Sequence, residues 1–504
     1  IRRGEGGVTL LGIDNHLPAL QVVIPLMGAP LCFLLRRPAL AWGFSVAISS
    51  ATLIIAFLLL QTTLQTGPLS YALGGWAAPW GIEYRVDTLN GYILLLVTAI
   101  STLSLLYART SFEHEINSAQ LPLLYAGWLL CLTGFLGMTI TGDAFNVFVF
   151  LEISSLSSYL LISLGPDRRS LTAAFRYLVI GTIGATFILI AIGLFYSMTG
   201  TLNMADLAIL LSKNTESRTF HAAIGFLLIG LAIKAAIFPL HLWLPNAYTW
   251  APSAVSVFLA ATATKVAIYL LLRFLFTVIG ADHSFNLFTL NQALLPLGVL
   301  AVLIGSVVAI YQDNIKKLLA YSSVAQIGYM VLGITLVSLS GLTATLLHLF
   351  NHALMKGALF MAVGAIFYRT GSLRIADLTG LGRTMPLTMA AFLISGLSLI
   401  GLPLTVGFVS KWYLVMGAVE ANQMWLAIII LLGSLLAIIY FWKVIEIAYF
   451  HHKSSEAPVV NEAPLSLLIP TWILVGANIY FGIDTRLTAG VAEKAALLLL
   501  GGTP

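Results

Sequence analysis

Long apolar runs alternate with short polar connections along almost the whole chain. Fourteen runs reach about 18 residues or more, the length a helix needs to cross the hydrocarbon core of a bilayer. They lie near residues 18–35, 41–63, 88–108, 121–141, 143–163, 171–199, 221–244, 253–278, 293–313, 317–338, 341–368, 386–416, 423–450 and 464–483. The pattern predicts an all-α integral membrane protein with about 14 transmembrane helices.

Composition supports this class and excludes others. Hydrophobic residues make up 59% of the 504 positions and charged residues only 9%, against roughly 25% charged in soluble domains. The net charge of +5 is typical of basic cytoplasmic loops and requires no nucleic-acid partner. Cys32 and Cys131 both lie in apolar runs and are too few for an iron–sulfur centre. We therefore expect no cofactor and no metal in this chain.

Basic residues are concentrated in the odd-numbered connections between the runs. The odd connections contain Arg36, Arg37, Arg109, Arg168, Arg169, Lys316, Lys317, Arg369, Arg374, Arg383, Lys443 and Lys453, and the even ones Arg85, Lys213, Arg218 and Arg273. Cytoplasmic loops are enriched in Lys and Arg, so we predict a multi-pass protein of a bacterial plasma membrane with both termini outside. Arg2 and Arg3 argue weakly for the opposite orientation. The polar N-terminal tail shows no short apolar segment with a cleavage site, and we expect no removable signal peptide.

The connection 65–87 is rich in glycine, proline and aromatic residues. This composition predicts a short outward hairpin. An irregular interfacial loop with a belt formed by Trp76 and Trp80 is an equally good interpretation.

Two apolar runs are interrupted by proline, at Pro239 and at Pro403, and each has a lysine nearby. Lys234 precedes its proline by five positions, whereas Lys411 follows its proline by eight. Paired interrupted helices in two halves of a chain indicate a transport site built from inverted repeats.

Five charged residues lie well inside apolar runs, namely Glu152, Lys234, Lys265, Lys356 and Lys411. A charge at mid-membrane costs a few kcal/mol on insertion scales, so such residues are usually functional. A lone carboxylate there would be protonated, whereas a nearby ammonium would keep it ionised. We predict that Lys234 pairs with Glu152 and that their separation drives a proton. A static structural ion pair is the alternative.

The other intramembrane groups suggest a proton wire. Lys265 lies too deep in its run to reach a headgroup, which favours a relay over a structural role. His348, His352 and Lys356 are four residues apart and form one helical stripe. Two histidines could bind a metal or a haem edge, but no third ligand is evident, and imidazole can pass protons near neutral pH. Alternatively, His352 and Lys356 only pack or approach the surface.

The residues beside the two breaks allow two interpretations each. Lys411 is either the outlet of the wire or a cap for exposed carbonyl groups. His241, beside Pro239, either connects Lys234 with Lys265 or is a buried histidine that freed carbonyls satisfy.

Four segments resemble those of a known family. GDAFNVFVFLEISSLSSYLLI, KAAIFPLHLWLPNAYTWAPS, DNIKKLLAYSSVAQIGYM and NHALMKGALF are similar to the antiporter-like membrane subunits shared by respiratory complex I and Mrp-type monovalent cation/proton antiporters. GFVSKW, with lysine after the second break, looks closest to the D-type subunits of Mrp antiporters. The resemblance covers roughly residues 87–450. Gln326 stands where some relatives carry histidine, and the tail before Leu17 is unexplained.

This resemblance implies an architecture and a proton route. Residues 1–120 would hold a tail and three helices, 121–278 a first inverted five-helix repeat, 279–450 a second with helices from about 293, and 451–504 a cytoplasmic loop and a last helix. The implied route comprises Glu152, Lys234, Lys265, His348 and Lys411, with His241, His352 and Lys356 as further candidates. The implied partners are other membrane subunits, protons, and Na⁺ or another monovalent cation.

Three functions are compatible with these observations. The leading prediction is a proton-translocating subunit of a multisubunit Na⁺/H⁺ antiporter, which is not an enzyme. The second is a proton-pumping, non-redox subunit of an NADH:quinone oxidoreductase or membrane-bound hydrogenase. The third is coupling to uptake of another substrate through a soluble partner. A membrane scaffold would not need five buried ionisable residues.

Overall fold

The structure is a computed structural model that describes residues 13–287, 289–451 and 460–502. The N-terminal tail before residue 13, with Arg2 and Arg3, lies outside the described residues, as does Lys453. The described part contains nineteen α-helices. They are α1 (Leu17–Leu34), α2 (Pro38–Thr66), α3 (Thr88–Glu115), α4 (Leu121–Ile140), α5 (Ala144–Ser163), α6 (Arg169–Thr199), α7 (Met204–Leu211), α8 (Arg218–Ala235), α9 (Trp243–Trp250), α10 (Ser253–Leu272), α11 (Leu290–Ile310), α12 (Ile315–Thr335), α13 (Leu339–Thr370), α14 (Leu381–Thr384), α15 (Pro386–Ile400), α16 (Val406–Glu420), α17 (Met424–Tyr449), α18 (Leu465–Ile483) and α19 (Arg486–Leu499).

Thirteen of the described helical segments are long and apolar enough to cross a membrane. The remaining predicted span is divided between the shorter helices α15 and α16. The predicted all-α membrane class is therefore confirmed. The short helix α19, at the end of the chain, was not predicted; it packs against α3 and α13.

Both proline-containing runs are broken, as predicted. α8 ends at Ala235 because Ala236 adopts a left-handed backbone with φ of 55° and Pro239 has no N–H to continue the helix. α15 ends at Ile400, followed by Gly401 with φ of 99°, a conformation that glycine adopts without strain. The predicted bounds of the first broken run, 221–244, were wrong, since the chain resumes as α9 and continues to Trp250.

The glycine-rich connection forms a hairpin, the first of its two interpretations. Strand β1 (Leu69–Ala72) pairs antiparallel with β2 (Glu83–Val86), with Leu69 opposite Val86. Trp80, between the strands, is 90% exposed. The membrane face on which the hairpin lies stays a prediction.

α10, α12 and α13 form the centre of the bundle and are enclosed on almost all sides. α6, α11 and α17 lie at the periphery and present leucine and isoleucine side chains outward. A membrane-spanning helix that is apolar all round can face lipid, so its outward face needs no partner. The polar groups of the central helices, in contrast, must find partners inside the protein.

Two loops repeat each other in sequence and conformation. TGTLNMADL follows α6 at residues 199–207, and TGSLRIADL follows α13 at residues 370–378. In each loop the threonine hydroxyl donates to a carbonyl four residues earlier, and the following glycine has a left-handed backbone. The loops also form matching β-bridges, Asn203 with Asp143 and Arg374 with Asn314.

These bridges match α5 and α6 with α12 and α13, because Asp143 and Asn314 are the residues that cap α5 and α12. Five membrane crossings separate the two caps, so the second set begins on the opposite face. This correspondence supports two inverted repeats at residues 121–278 and 279–450, whose bounds stay a prediction.

Candidate functional site

Lys234 lies in the last turn of α8, directly before the break. Its Nζ donates a hydrogen bond of 2.8 Å to Ser155 Oγ, one helical turn after Glu152 on α5. Glu152 Oε1 is buried without a hydrogen-bond partner in the described chain. Glu152 and Lys234 form no direct ion pair within the described ranges. Ser155 is therefore the immediate partner of the lysine.

A small cavity of about 30 Å³, lined by both polar and apolar side chains, adjoins Lys234. Its walls come from α4, α5, α6, α8 and α10 and include Ser154, Ser155, Ser158, Tyr177 and Ala263. A water molecule requires about 10–15 Å³ of such space and two to four polar neighbours. The cavity can therefore hold water between the Lys234 ammonium and α10, the helix that contains Lys265.

Lys265 is fully buried at the centre of α10, with an exposed fraction of 0%. Its Nζ donates a hydrogen bond of 2.5 Å to the carbonyl of Ala260 on its own helix. α10 packs against α13, the helix that contains His348, His352 and Lys356. The packing of α10 against α13 thus gathers these four predicted residues into one cluster.

The polar stripe on α13 is buried along its whole length. His352 and Lys356 are both 0% exposed, so the alternative that they approach the surface was wrong. The rings of His348 and His352 are parallel, with centroids 6.1 Å apart. His348 Nδ1 hydrogen-bonds with Ser410 Oγ at 2.9 Å, and Lys356 Nζ donates to Ser322 Oγ at 2.5 Å. The stripe therefore contacts α16 through one histidine and α12 through the lysine.

Lys411 connects the α13 stripe with the second broken helix. Its Nζ donates to the carbonyls of Leu399 and Ile400 at 3.1 and 2.9 Å and to Ser434 Oγ at 2.8 Å. Lysine donors at a helix C-terminus satisfy carbonyls that have no partner in the helix. Lys411 therefore caps the exposed carbonyl groups at the end of α15, which is one of its two predicted roles. Because the preceding residue, Ser410, hydrogen-bonds with His348, a relay through Lys411 also stays open.

His241 is buried beside the first break, and its ring lies near those of Phe238 and Tyr321, at centroid distances of 5.3 and 6.2 Å. In the described chain these contacts connect it with α12, not with α10. These ring contacts do not join His241 to Lys234 or Lys265, and its role between the two lysines stays a prediction. Gln326, where some relatives carry histidine, is buried on α12.

Sequence reasoning missed several hydroxyl groups that hydrogen-bond with the buried lysines and with His348. Ser322, Ser410 and Ser434 come from three different helices, and serine is too common in membrane helices to stand out by itself. Lys316 was assigned to a cytoplasmic connection, yet it is almost fully buried and donates to the Ala251 carbonyl at 3.1 Å. Within the described ranges no three His, Cys, Asp or Glu side chains converge as a metal site would require.

The fold and the site together define a class of protein, a multi-pass helical membrane protein with buried lysines and histidines between two broken helices. Residues 141–437 match the family model described as NADH:quinone oxidoreductase/Mrp antiporter, TM. The chain belongs to this family, and the predicted membership is confirmed.

The individual relatives include subunits of both oxidoreductases and antiporters. The chain is 43% identical to the N-type subunit of the NADH-quinone oxidoreductase of Desulforudis audaxviator, covering 95% of this chain and 98% of the relative. It is 31% identical to the D-type subunit of the Na(+)/H(+) antiporter of Bacillus subtilis, covering 96% and 97%. A chain of the Mrp complex from Dietzia sp. DQ12-45-1b superposes with a TM-score of 0.88 at 26% identity, covering 97% and 98%. Family membership is therefore clear, while the names of the relatives divide between antiporter and oxidoreductase.

Proposed function

We propose that this chain is the proton-translocating membrane subunit of a multisubunit antiporter that exchanges protons for Na⁺ or another monovalent cation. It acts with other membrane subunits in a bacterial plasma membrane, with both termini on the outer side. Glu152 and Lys234 control proton uptake, and Lys265, His348 and Lys411 pass the proton laterally. His241, His352 and Lys356 are secondary members of the route.

One observation carries this proposal: the central lysines have neutral partners. Lys265, Lys356 and Lys411 donate to carbonyl and hydroxyl oxygens, and none has a carboxylate partner within the described ranges. A fixed counter-ion would lock an ammonium in its charged form. Without one, each lysine can exist in both protonation states, as a relay requires.

The site at Glu152 suits a control element. Ser155 holds Lys234 one turn from the carboxylate, so a small movement of either side chain would make or break direct contact. Contact favours the charged form of both groups, and separation in a dry environment favours the neutral forms. Charge movement elsewhere can therefore release a proton here. The inverted repeats provide the second broken helix, with Lys411, at the other end of the route.

A second candidate rests on the 43% identity to the relative named as an NADH-quinone oxidoreductase component. In that case the same residues would move protons, and electron transfer in other subunits would supply the energy. The two candidates differ in what drives the proton, and not in the residues of this chain.

The test is a proton-gradient assay in inverted vesicles that contain the complete complex. Na⁺, K⁺ or Li⁺ is added without an electron donor, and the collapse of the gradient is followed with a pH-sensitive dye. We expect collapse in the wild type and none in Glu152→Ala or Lys234→Ala, with the complex still assembled. Lys213→Ala, which removes an exposed lysine, serves as the control and should match the wild type.

Two outcomes would contradict the antiporter proposal. Normal exchange in both the Glu152 and the Lys234 variants would refute the mechanism. No response to any cation, but vesicle acidification once a reductant is supplied, would establish the oxidoreductase candidate.

A further inference from the structure

The two ends of α10 differ in access to water. α10 lies beside α3, which runs antiparallel to it: Glu115 at the end of α3 accepts a hydrogen bond of 2.9 Å from the Ser253 N–H at the start of α10. At the opposite ends, Asp87 before α3 contacts Arg273 after α10. A helix of 28 residues, the length of α3, is about 42 Å long. These two contacts therefore lie on opposite faces of the bundle.

The face that contains Glu115 is open. A cavity of about 720 Å³ enters the bundle there, lined by Glu115, Asp167, Arg169, Trp250 and Lys316 among others. Lys316 heads α12, the helix whose Ser322 accepts a hydrogen bond from Lys356. Water on this face thus reaches the end of a helix that leads to the central cluster.

The face that contains Asp87 has only a small cavity. Its cavity is about 130 Å³, with Glu83, Arg85, Asp87 and Arg273 among the lining residues. Arg273 is bound in two-pronged fashion, with Nη1 2.8 Å from Asp87 Oδ2 and Nη2 3.0 Å from Oδ1. The side chains of Arg273 and Asp87 are only 12% and 9% exposed. A bidentate arginine–carboxylate pair is among the strongest polar contacts in proteins, and here it closes the inner end of the cavity.

Tyr269 lies between this pair and the central cluster. It follows Lys265 by four residues and precedes Arg273 by four, so the three side chains form one stripe along α10. The phenol donates to the Thr139 carbonyl at 2.8 Å and accepts from Asn90 Nδ2 at 2.8 Å. Asn90 also accepts from Arg273 at 3.0 Å. The hydroxyl of Tyr269, the residue one helical turn after Lys265, thus belongs to the same network as the ion pair.

The helix geometry changes at this point. The chain passes from α10 into a π-helical segment, Arg273–Val278. π-helical turns within α-helices are frequent at functional sites. A return to α-helical register would rotate Arg273 relative to Tyr269 and break the network.

We propose that Asp87, Arg273, Asn90 and Tyr269 form a gate that closes the route from Lys265 to the face of the β1–β2 hairpin. This inference rests on the proposed function, in which Lys265 is part of the proton route. In the closed state Lys265 can exchange protons only with the open face and with the buried groups on α13. Opening separates Arg273 from Asp87 and releases Tyr269 from its hydrogen bonds, so that water in the small cavity reaches Lys265.

The experiment measures passive proton leak. The complete complex is reconstituted in liposomes with an internal pH-sensitive dye, and a pH step is applied with no transported cation and no electron donor. We expect Asp87→Asn and Arg273→Gln to raise the leak about tenfold, the effect of losing roughly 1.4 kcal/mol from the closed state. Arg273→Lys, which keeps the charge but loses the two-pronged contact, should leak at an intermediate rate. Arg85→Gln alters an exposed residue of the same cavity and should match the wild type.

Further variants separate the gate from a structural role. Tyr269→Phe keeps the ring packing and should leak even if the Asp87 and Arg273 variants fail to assemble. Lys265→Met added to a leaking variant should abolish the leak, and a leak that persists would overturn the assignment of this gate to Lys265. Assembled gate variants without leak would also overturn it. A wild-type complex that moves no protons with either cation or donor would refute the proposed function, while the leak comparison would still decide the gate.

Discussion

Substitution of Lys411 by arginine separates relay from capping, the two roles that this lysine can have. Arginine retains a positive charge and several N–H donors, so it can still satisfy the carbonyls of Leu399 and Ile400. Arginine cannot be deprotonated in proteins, however, and a relay must release its proton. We therefore expect Lys411→Arg to assemble with a thermal stability close to that of the wild type, and its proton transport to fall at least about tenfold, which is about 1.4 kcal/mol in barrier.

The contribution of the Lys411 cap to stability can be worked out from its contacts. Lys411→Met leaves two buried carbonyls without a donor, and an unsatisfied group costs about 1–3 kcal/mol, or roughly 2–6 kcal/mol for both. Loss of the contact with the Tyr329 ring, 4.9 Å from Nζ, adds about 0.5–2 kcal/mol. Lys411→Met should therefore lower both the melting temperature of the complex and its yield.

Transport is measured by dye quenching in vesicles, and stability by thermal unfolding of the purified complex. The matched control is Lys443→Arg. Lys443 also donates to two carbonyls, those of Ile310 and Gln312, but it lies outside the proposed route and should tolerate arginine. Transport by Lys411→Arg within twofold of the wild type would refute the relay and leave Lys411 as a cap only.

Three further predictions concern single contacts. Ser155→Ala should slow transport about tenfold or more, because a hydrogen bond to a charged group contributes about 1.5–3 kcal/mol, and initial rates in vesicles measure this. Lys356→Met should reduce transport at least about tenfold in an assembled complex, since it removes one of the buried groups that can hold a proton. Gly407→Ala should lower the melting temperature, because an added Cβ would overlap the carbonyl oxygen of Ser398.

Each of these predictions has its own control. Ser155→Thr keeps the hydroxyl and should restore transport, and equal rates for serine and alanine would show that the hydroxyl does not hold Lys234. Lys317→Met, one residue along from the buried Lys316, should leave transport unchanged. Wild-type rates in Lys356→Met would remove that residue from the route. Gly476→Ala, where nothing lies within 4 Å of the added Cβ, should leave the melting temperature unchanged, and an equal effect of both alanines would contradict the steric reason given for Gly407.

Much of the fold could be predicted because membrane helices are encoded locally. Each span is a continuous apolar run, and each break contains a proline whose missing N–H stops the helix. The bounds of α8 and α9 could not be predicted, since Ala236 at φ of 55° is an unfavourable conformation that only packing maintains. α19 was missed because its apolar residues are interrupted by charged ones. The repeated loops TGTLNMADL and TGSLRIADL were visible in the sequence, but the prediction of repeats rested on the broken helices and on the family resemblance.

The sequence by itself determined which residues are costly in a membrane. Glu152, Lys234, Lys265, Lys356 and Lys411 stand out because charge and hydrocarbon are incompatible, and that conflict needs no structure to be recognised.

Only the tertiary structure decided their partners. The side chains that hold the lysines come from helices far apart in sequence: Ser155 for Lys234, 79 residues away, and Ser322 for Lys356, 34 residues away. Sequence spacing specifies which residues share a face of one helix, but not which faces meet. Helix packing also brought Asp87 and Arg273 together at a distance of 186 residues, and neither had been assigned a role beyond the end of a helix. The cost of placing a charge in the membrane is thus evident from each residue and its neighbours in sequence. The choice of polar partner, in contrast, depends on how whole helices are arranged.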